Sequence, residues 1–153
     1  MSRRKLKVYL DNCCYNRPYD DQSNLTVSLE TQAKLFVQGQ IRDGCLDMVS
    51  SYILDYENSC NPFANRRTSI SSFLTLAETF VGADHAKQIQ EYAEQIMETG
   101  VKEKDSLHVA CAIFAKSDYF ITTDYRLLKY KSDDIRIIDP IRFVLEYELR
   151  DSL

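Results

Sequence analysis

The chain has 153 residues, of which 44% are hydrophobic and 27% charged, with a formal net charge of −4. This composition is typical of one globular domain with its own core, and it excludes a disordered or fibrous chain. The negative net charge argues against a protein that binds nucleic acid by overall charge alone. We therefore expect a single domain over residues 1–153.

Hydrophobic patterning predicts strands that alternate with helices. The predicted strands cover 6–10, 45–50, 118–123 and 135–139. Apolar residues at three- and four-residue intervals predict helices over 25–41, 70–81 and 86–97. Gly44, Gly82 and Gly100 follow these segments, as helix C-caps often do. Pro140 follows the last strand and is suited to open a final helix.

The segment 104–117 predicts a helix that is buried on all sides. From Leu107 to Ala115 only His108 is not apolar, so this helix has almost no face suited to water. Its charged first turn, Glu103 to Asp105, is expected to emerge at one end. Strands alternating with helices predict a mostly parallel sheet of about four to five strands between two helix layers, a three-layer α/β/α domain.

Acidic residues collect at one edge of the predicted sheet. Three of the four predicted strands deliver an aspartate at or just past their carboxyl end: Asp11, Asp124 and Asp139. Asp105 opens the buried helix, and Glu57 lies about two turns into a helix that Ser50 or Ser51 would cap. Ligands of open α/β sheets bind beyond the carboxyl ends of the strands. Each acid is also suited to a plainer role as a turn former or helix cap.

Such a cluster of carboxylates predicts a bound cation. The acids repel one another and raise one another's pKa unless a cation neutralises them. Oxygen ligands favour a hard ion, which inside a cell means Mg²⁺ or Mn²⁺. That ion activates a bound water and neutralises charge on a phosphodiester, so the pattern favours phosphoryl chemistry.

The sequence shows no membrane or export signal. No stretch approaches the roughly 18 apolar residues of a membrane helix, and no signal peptide is evident, so we expect a cytoplasmic protein without a membrane partner.

The cysteines and histidines do not indicate a zinc site. In the cytoplasm the five cysteines are expected to be reduced thiols, with Cys13 and Cys14 as small buried packing residues. There is no C-x-x-C motif, and His85 and His108 lie far from any cysteine pair.

Four segments resemble the PIN-domain family in their order and approximate spacing. They are "KVYLDNCC", "SSYILDYE", "EKDSLHVACA" and "YFITTDYRLLKY", and they span nearly the whole chain. The D-x-x-H-x-A run before a strand that ends in T-x-D is the most specific part. The resemblance implies a metal-dependent ribonuclease, as in VapC-like toxins, with RNA as substrate, an antitoxin protein as partner and a homodimeric state.

The resemblance also implies a set of site residues. By motif, Asp11, Glu57, Asp105 and Asp124 would hold one or two Mg²⁺ or Mn²⁺ ions and carry the catalysis, while Asn12, His108 and Thr122 would support them. Asp47 and Asp55 compete for the role of Glu57. The stretch after Asp11, "NCCYNRPYDDQSN", departs from the shorter entry into the first helix of the better-known toxins, which leaves the substrate and biological role open.

Other functions stay open or are excluded. The main alternative is a PIN fold retained as a nucleic-acid-binding or protein-binding module without catalysis. A phosphoacceptor receiver domain needs an acidic pair after the first strand and a late lysine, which this chain lacks. The P-loop and G-x-S-x-G motifs are absent. Two basic segments, 66–67 and 126–131, are candidates to guide RNA, and the sequence does not choose between them.

Overall fold

The computed structural model describes residues 4–150, so both ends of the predicted domain, 1–3 and 151–153, lie outside the described residues. The strands are β1 (Leu6–Leu10), β2 (Leu46–Ser51), β3 (Thr79–Val81), β4 (Tyr119–Ile121) and β5 (Arg136–Ile138). The α-helices are α1 (Asn12–Asn16), α2 (Leu25–Arg42), α3 (Tyr52–Ser59), α4 (Ala64–Leu74), α5 (Ala86–Met97), α6 (Glu103–Phe114), α7 (Tyr125–Leu128) and α8 (Pro140–Leu149). Short 3₁₀ turns cover Arg17–Tyr19 and Ala83–His85.

The five strands form one parallel sheet in the order β3-β2-β1-β4-β5. Helix α2 packs against α8, and α5 packs against α6. Right-handed crossovers place α2 on one face of the sheet and α5 with α6 on the other, and α8 joins the face of α2 by packing against it. The α/β fold with three layers and a parallel sheet is therefore confirmed.

The centre of the core is strand β1 and helix α6. Val8, Tyr9 and Leu10 of β1 are fully buried, because β1 has a neighbour on each side and helices over both faces. In α6 the run Val109 to Ala112 is also fully buried. The prediction of a buried helix with a charged first turn is confirmed. No helix within residues 4–150 has the length and apolarity needed to cross a membrane.

One predicted helix is too long and hides a strand. Apolar spacing predicted a helix over 70–81, but α4 ends at Leu74 and the chain enters edge strand β3 at Thr79. Apolar residues four apart at 77 and 81 imitated a helical face, whereas Thr79 to Val81 is a short run with strand propensity that pairs with β2. Gly82 is consequently not a helix C-cap and has a φ of −86°. Gly44 and Gly100 do follow helices, with φ values of 77° and 102°.

Candidate active site

The candidate site lies between β1 and β4, where the order in which strands are added to the sheet reverses. From β1 the chain first builds β2 and β3 on one side, and later returns to build β4 and β5 on the other. The carboxyl ends of β1 and β4 therefore flank a crevice, the usual ligand site of an open parallel sheet. Asp11 follows β1 directly, and Asp124 follows β4 by three residues.

Asp11 is held in place by several donors. It is 5% exposed, and its Oδ1 accepts the backbone N–H of Asn12 at 2.8 Å. Its Oδ2 accepts the hydroxyl of Thr122 at 2.8 Å. The same hydroxyl oxygen accepts the backbone N–H of Asp124 at 3.1 Å. Thr122 thus ties the end of β4 to the acid at the end of β1, while Asn12 acts on Asp11 through its backbone.

Glu57 is held by a buried chain of side-chain hydrogen bonds. Its Oε1 lies 2.5 Å from Nε2 of His108. The other ring nitrogen of His108 lies 2.6 Å from the Tyr9 hydroxyl, which lies 2.7 Å from Oγ of Ser51. Ser51 in turn caps α3 by accepting the backbone N–H of Leu54 at 3.1 Å. This chain links β1, β2, α3 and α6 to one carboxylate.

Both ring nitrogens of His108 take part in this chain. Nε2–H donates to Glu57, and Nδ1 shares a hydrogen bond with the Tyr9 hydroxyl, which shares another with Ser51. Tyr9, Ser51 and His108 are each at most 1% exposed, so the chain is shielded from water and fixes the orientation of the Glu57 carboxylate.

Asp105 lies in the first turn of α6 and has a perturbed acidity. Burial raises the pKa of the Asp105 carboxyl, and the nearby carboxylates of Asp11 and Asp124 raise it further. Glu57 acts in the same direction, and His108 acts against it. The four predicted acids are therefore close enough for their charges to interact at Asp105.

These four acids line a single cavity of about 350 Å³. Asn12 and Cys13 also line it, as do two cations that the sequence pattern did not single out, Arg17 and Lys104. Arg17 is paired with Asp20 and Glu30. No sequence motif identifies these two cations. Arg17 comes to the cavity in the 3₁₀ turn after α1, and Lys104 in the first turn of α6.

The donor set of this cavity is suited to a hard cation. Mg²⁺ usually binds one or two carboxylates and keeps several waters, and five carboxylates line this cavity: the four predicted acids and Asp20, which pairs with Arg17. Burial, and after it the nearby carboxylates of Asp11 and Asp124, raise the pKa of Asp105, and a cation bound beside it would oppose that rise. The arrangement is open, however: within residues 4–150, no three His, Cys, Asp or Glu side chains are placed to hold a metal ion together.

The other acids considered from sequence lie elsewhere. Asp139 caps α8 by accepting the backbone N–H of Arg142 at 2.8 Å and does not line the acidic cavity. Asp55 lines a different cavity beside Arg67. Asp47 pairs with Lys5 at 3.6 Å. Capping alone does not set Asp139 apart, because Asp11 and Asp124 also cap helices, α1 and α7. Asp139 differs from them in lying outside the acidic cavity.

The two adjacent cysteines have different surroundings. Cys14 is fully buried as predicted, and its thiol lies 3.4 Å from the carbonyl oxygen of Ile121. Cys13 packs against the core as predicted, but it is half-buried rather than buried. As the second residue of α1 it turns back toward the strand ends, where its partly exposed Sγ lies 3.5 Å from Asp11 Oδ2 and lines the acidic cavity.

Comparison with known proteins supports the fold. No protein-family model matches the sequence, and no curated protein matches it either. A chain in the crystal structure of VapBC2 from Rickettsia felis bound to a DNA fragment from their promoter is similar in structure, with a TM-score of 0.52 at 14% sequence identity. The match covers 86% of this chain and 97% of that chain. The chain therefore has a PIN-like α/β/α fold, and its chemistry must be argued from its own side chains.

Proposed function

We propose that this protein is a metal-dependent endoribonuclease that hydrolyses RNA phosphodiester bonds. The observation that carries the proposal is that Asp11, Glu57, Asp105 and Asp124 line one cavity at the switch point of a parallel sheet. The four acids come from four separate parts of the chain, and helix capping does not require them to meet. The fold shared with a chain of VapBC2 also supports the proposal.

The four carboxylates would hold one or two Mg²⁺ or Mn²⁺ ions. Bound there, such an ion supplies an activated water and neutralises charge on the phosphodiester. The protein's own contribution is to fix the acids before substrate arrives. Thr122 orients the Asp11 carboxylate, and the buried chain through His108 orients that of Glu57. Supporting partners of this kind typically contribute about 10- to 100-fold to metal affinity or activity.

An RNA cleavage assay tests this proposal. The purified protein is expected to cut a labelled RNA with Mg²⁺ or Mn²⁺ and to stop when the metal is chelated. Asp11→Asn should abolish cleavage while its circular dichroism spectrum stays that of the parent. Asp139→Asn is the matched control, because Asp139 is also a strand-end aspartate but lies outside the acidic cavity. Equal cleavage by Asp11→Asn and the parent would contradict the proposal.

The open arrangement of the acids supports a second candidate, a PIN-like binding module without catalysis. Within the described part of the chain, no three acidic, histidine or cysteine side chains are placed to hold a metal ion together. A binding module would retain RNA or a protein partner and leave RNA intact at every metal concentration. Cleavage that requires metal and Asp11 would exclude it.

We further propose that the enzyme is the toxin of a toxin–antitoxin pair, acts in the cytoplasm and forms a homodimer. Support comes from the structural likeness to a chain of VapBC2, a toxin–antitoxin complex. The free thiols of all five cysteines suit a reducing compartment. Co-expression with the product of the neighbouring reading frame tests the pairing, and light scattering tests the dimer. A protein that stays monomeric and forms no complex with the neighbouring product would contradict both.

A further inference from the structure

A second cavity adjoins the acidic one and has the opposite charge. It measures about 580 Å³, and Asp105 lines both cavities, so the two meet at this side chain. Four cations line the second cavity: Lys102, Arg126, Lys129 and Lys131. We call this cavity the basic groove. Lys102 precedes α6, whereas the other three belong to α7 and the turn after it, so the cations come from two separate segments.

The cations of the basic groove are not neutralised by the protein. All four are exposed, and none has a carboxylate within salt-bridge distance among residues 4–150. Elsewhere on the surface some cations are paired, as in Arg4 with Asp118 and Arg136 with Glu146, and others are not; what distinguishes the basic groove is that four unpaired cations line one cavity. A local group of unpaired cations on a chain of net charge −4 is the electrostatic footprint of a polyanion site.

The groove suits a single strand rather than a small anion. Four cations from two separate segments line it, which is more positive charge than one small anion requires and suits the successive phosphates of a nucleic-acid backbone. Half-buried Tyr130 also lines the groove, and aromatic rings are common stacking partners of unpaired bases. The groove opens onto Asp105, so a strand bound in it would continue directly over the acids.

The other basic segment suggested by the sequence has different contacts. The Arg66 guanidinium lies over the rings of Phe63 and Tyr19, at 3.9 and 4.7 Å from their centroids. Arg67 donates to the carbonyl oxygen of Asn61 at 2.7 Å. Neither arginine lines the acidic cavity or the basic groove.

We propose that the basic groove binds the sugar–phosphate backbone of single-stranded RNA on one side of the scissile phosphodiester. This proposal builds on the ribonuclease function and adds the substrate's form and its path away from the acids. The groove supplies affinity without sequence preference, because contacts to phosphates carry no base information.

The test measures binding without cleavage. The probe is a fluorescent single-stranded oligouridylate, and its anisotropy is followed in chelator over a series of salt concentrations. The groove variant replaces three lysines and keeps Arg126: Lys102→Gln, Lys129→Gln and Lys131→Gln. The control variant removes the same charge from exposed cations outside both cavities: Lys87→Gln, Lys116→Gln and Arg142→Gln.

The groove variant is expected to bind RNA at least about tenfold more weakly at low salt than the control variant. Each phosphate contact contributes about 0.7 to the slope of log affinity against log salt for single strands, so three lost contacts should lower the slope by about 2. A lysine-to-arginine triple variant should bind as the parent does. Equal affinity and slope in the groove and control variants, or a parent that does not bind the oligonucleotide, would overturn the proposal.

Cleavage assays separate failure of the groove from failure of the ribonuclease function. If the parent binds RNA through the groove but cleaves nothing with Mg²⁺ or Mn²⁺, the groove stands and the catalytic proposal fails. If the groove variant cleaves with the parent's KM, catalysis stands and the groove is refuted. A duplex RNA of the same length should bind more weakly than the single strand, and stronger binding of the duplex would also contradict the proposal.

Discussion

Replacing Tyr9 with phenylalanine removes one hydroxyl from the buried chain that holds Glu57. The ring stays, and with it the stacking on Phe120 at a centroid distance of 5.3 Å. The substitution removes the two hydrogen bonds of the Tyr9 hydroxyl, at 2.6 Å to His108 and 2.7 Å to Ser51. Ser51 keeps the N–H of Leu54 as a partner, whereas Nδ1 of His108 has no other partner among the described residues and is left unsatisfied.

The size of the effect follows from that unsatisfied nitrogen. A buried polar group without a partner costs about 1–3 kcal/mol, so Tyr9→Phe should lower the free energy of unfolding by about 2 kcal/mol. For a chain of this length the melting temperature should fall by roughly 4–8 °C. If the ribonuclease function is correct, Glu57 also loses its fixed orientation, and kcat should fall about 10- to 100-fold with little change in KM.

Tyr15→Phe is the matched control. Tyr15 is similarly buried, at 1% exposed, but within residues 4–150 its hydroxyl donates only to the weak acceptor Sδ of Met48, at 3.2 Å. Thermal unfolding followed by circular dichroism compares the two variants. A Tyr9→Phe protein no less stable than Tyr15→Phe, or the parent's kcat in both variants, would refute the role of the Tyr9 hydroxyl.

Two further predictions concern charges whose pKa is shifted by folding. Burial lowers the pKa of Lys34 from 10.5 to about 8, so its charge destabilises the fold by up to about 3 kcal/mol below pH 8, and this penalty fades as the pH rises toward 10.5. Lys34→Met should therefore melt several degrees above the parent at pH 7 and lose most of that gain by pH 10. Folding raises the pKa of Asp105, so its charged carboxylate destabilises the fold at neutral pH. This destabilisation is lost as the pH falls below the pKa that Asp105 has in the unfolded chain. Asp105→Asn should melt slightly above the parent at pH 7 and no higher than the parent at acidic pH.

Thermal unfolding in metal-free buffer at several pH values checks both. Leu35→Met, in the same cavity as Lys34, controls for the introduced methionine, and Asp139→Asn controls for loss of an aspartate. A Lys34→Met protein that gains as much stability at pH 10 as at pH 7 would show that charge is not the cause. A loss of stability in Asp105→Asn at neutral pH would mean that the carboxylates do not repel one another.

The sequence was sufficient to predict much of the fold because its strongest patterns are local. The near-continuous apolar run of α6 predicted burial correctly, and the alternation of strands with helices predicted the parallel sheet. Strand β3 was missed because its apolar positions continued the helical spacing of α4, whereas β4 and β5, which are equally short, were predicted. The order of the strands depends on pairings between distant segments, which no local pattern contains.

In the candidate site, too, residues marked by a local pattern were predictable, and residues placed by long-range contacts were not. Asp11 and Asp124 were predictable because each follows a strand, and Asp105 because it opens the buried helix. The roles of Tyr9 and Ser51 were not, since their hydrogen bonds join residues 42 and 99 positions apart. The basic segment 126–131 was a candidate from sequence, but the choice of it over 66–67 and its joining with Lys102 were out of reach, because Lys102 meets the turn after α7 only in the folded chain.

Titration of the metal-free protein with Mn²⁺, followed by calorimetry, most directly tests whether the four acids form one cation site. We expect saturable binding below millimolar metal, weakened at least about tenfold in Asp105→Asn and unchanged in Asp139→Asn. Absence of binding up to millimolar Mn²⁺, or equal binding by the parent and Asp105→Asn, would contradict the central proposal that these carboxylates hold a catalytic ion.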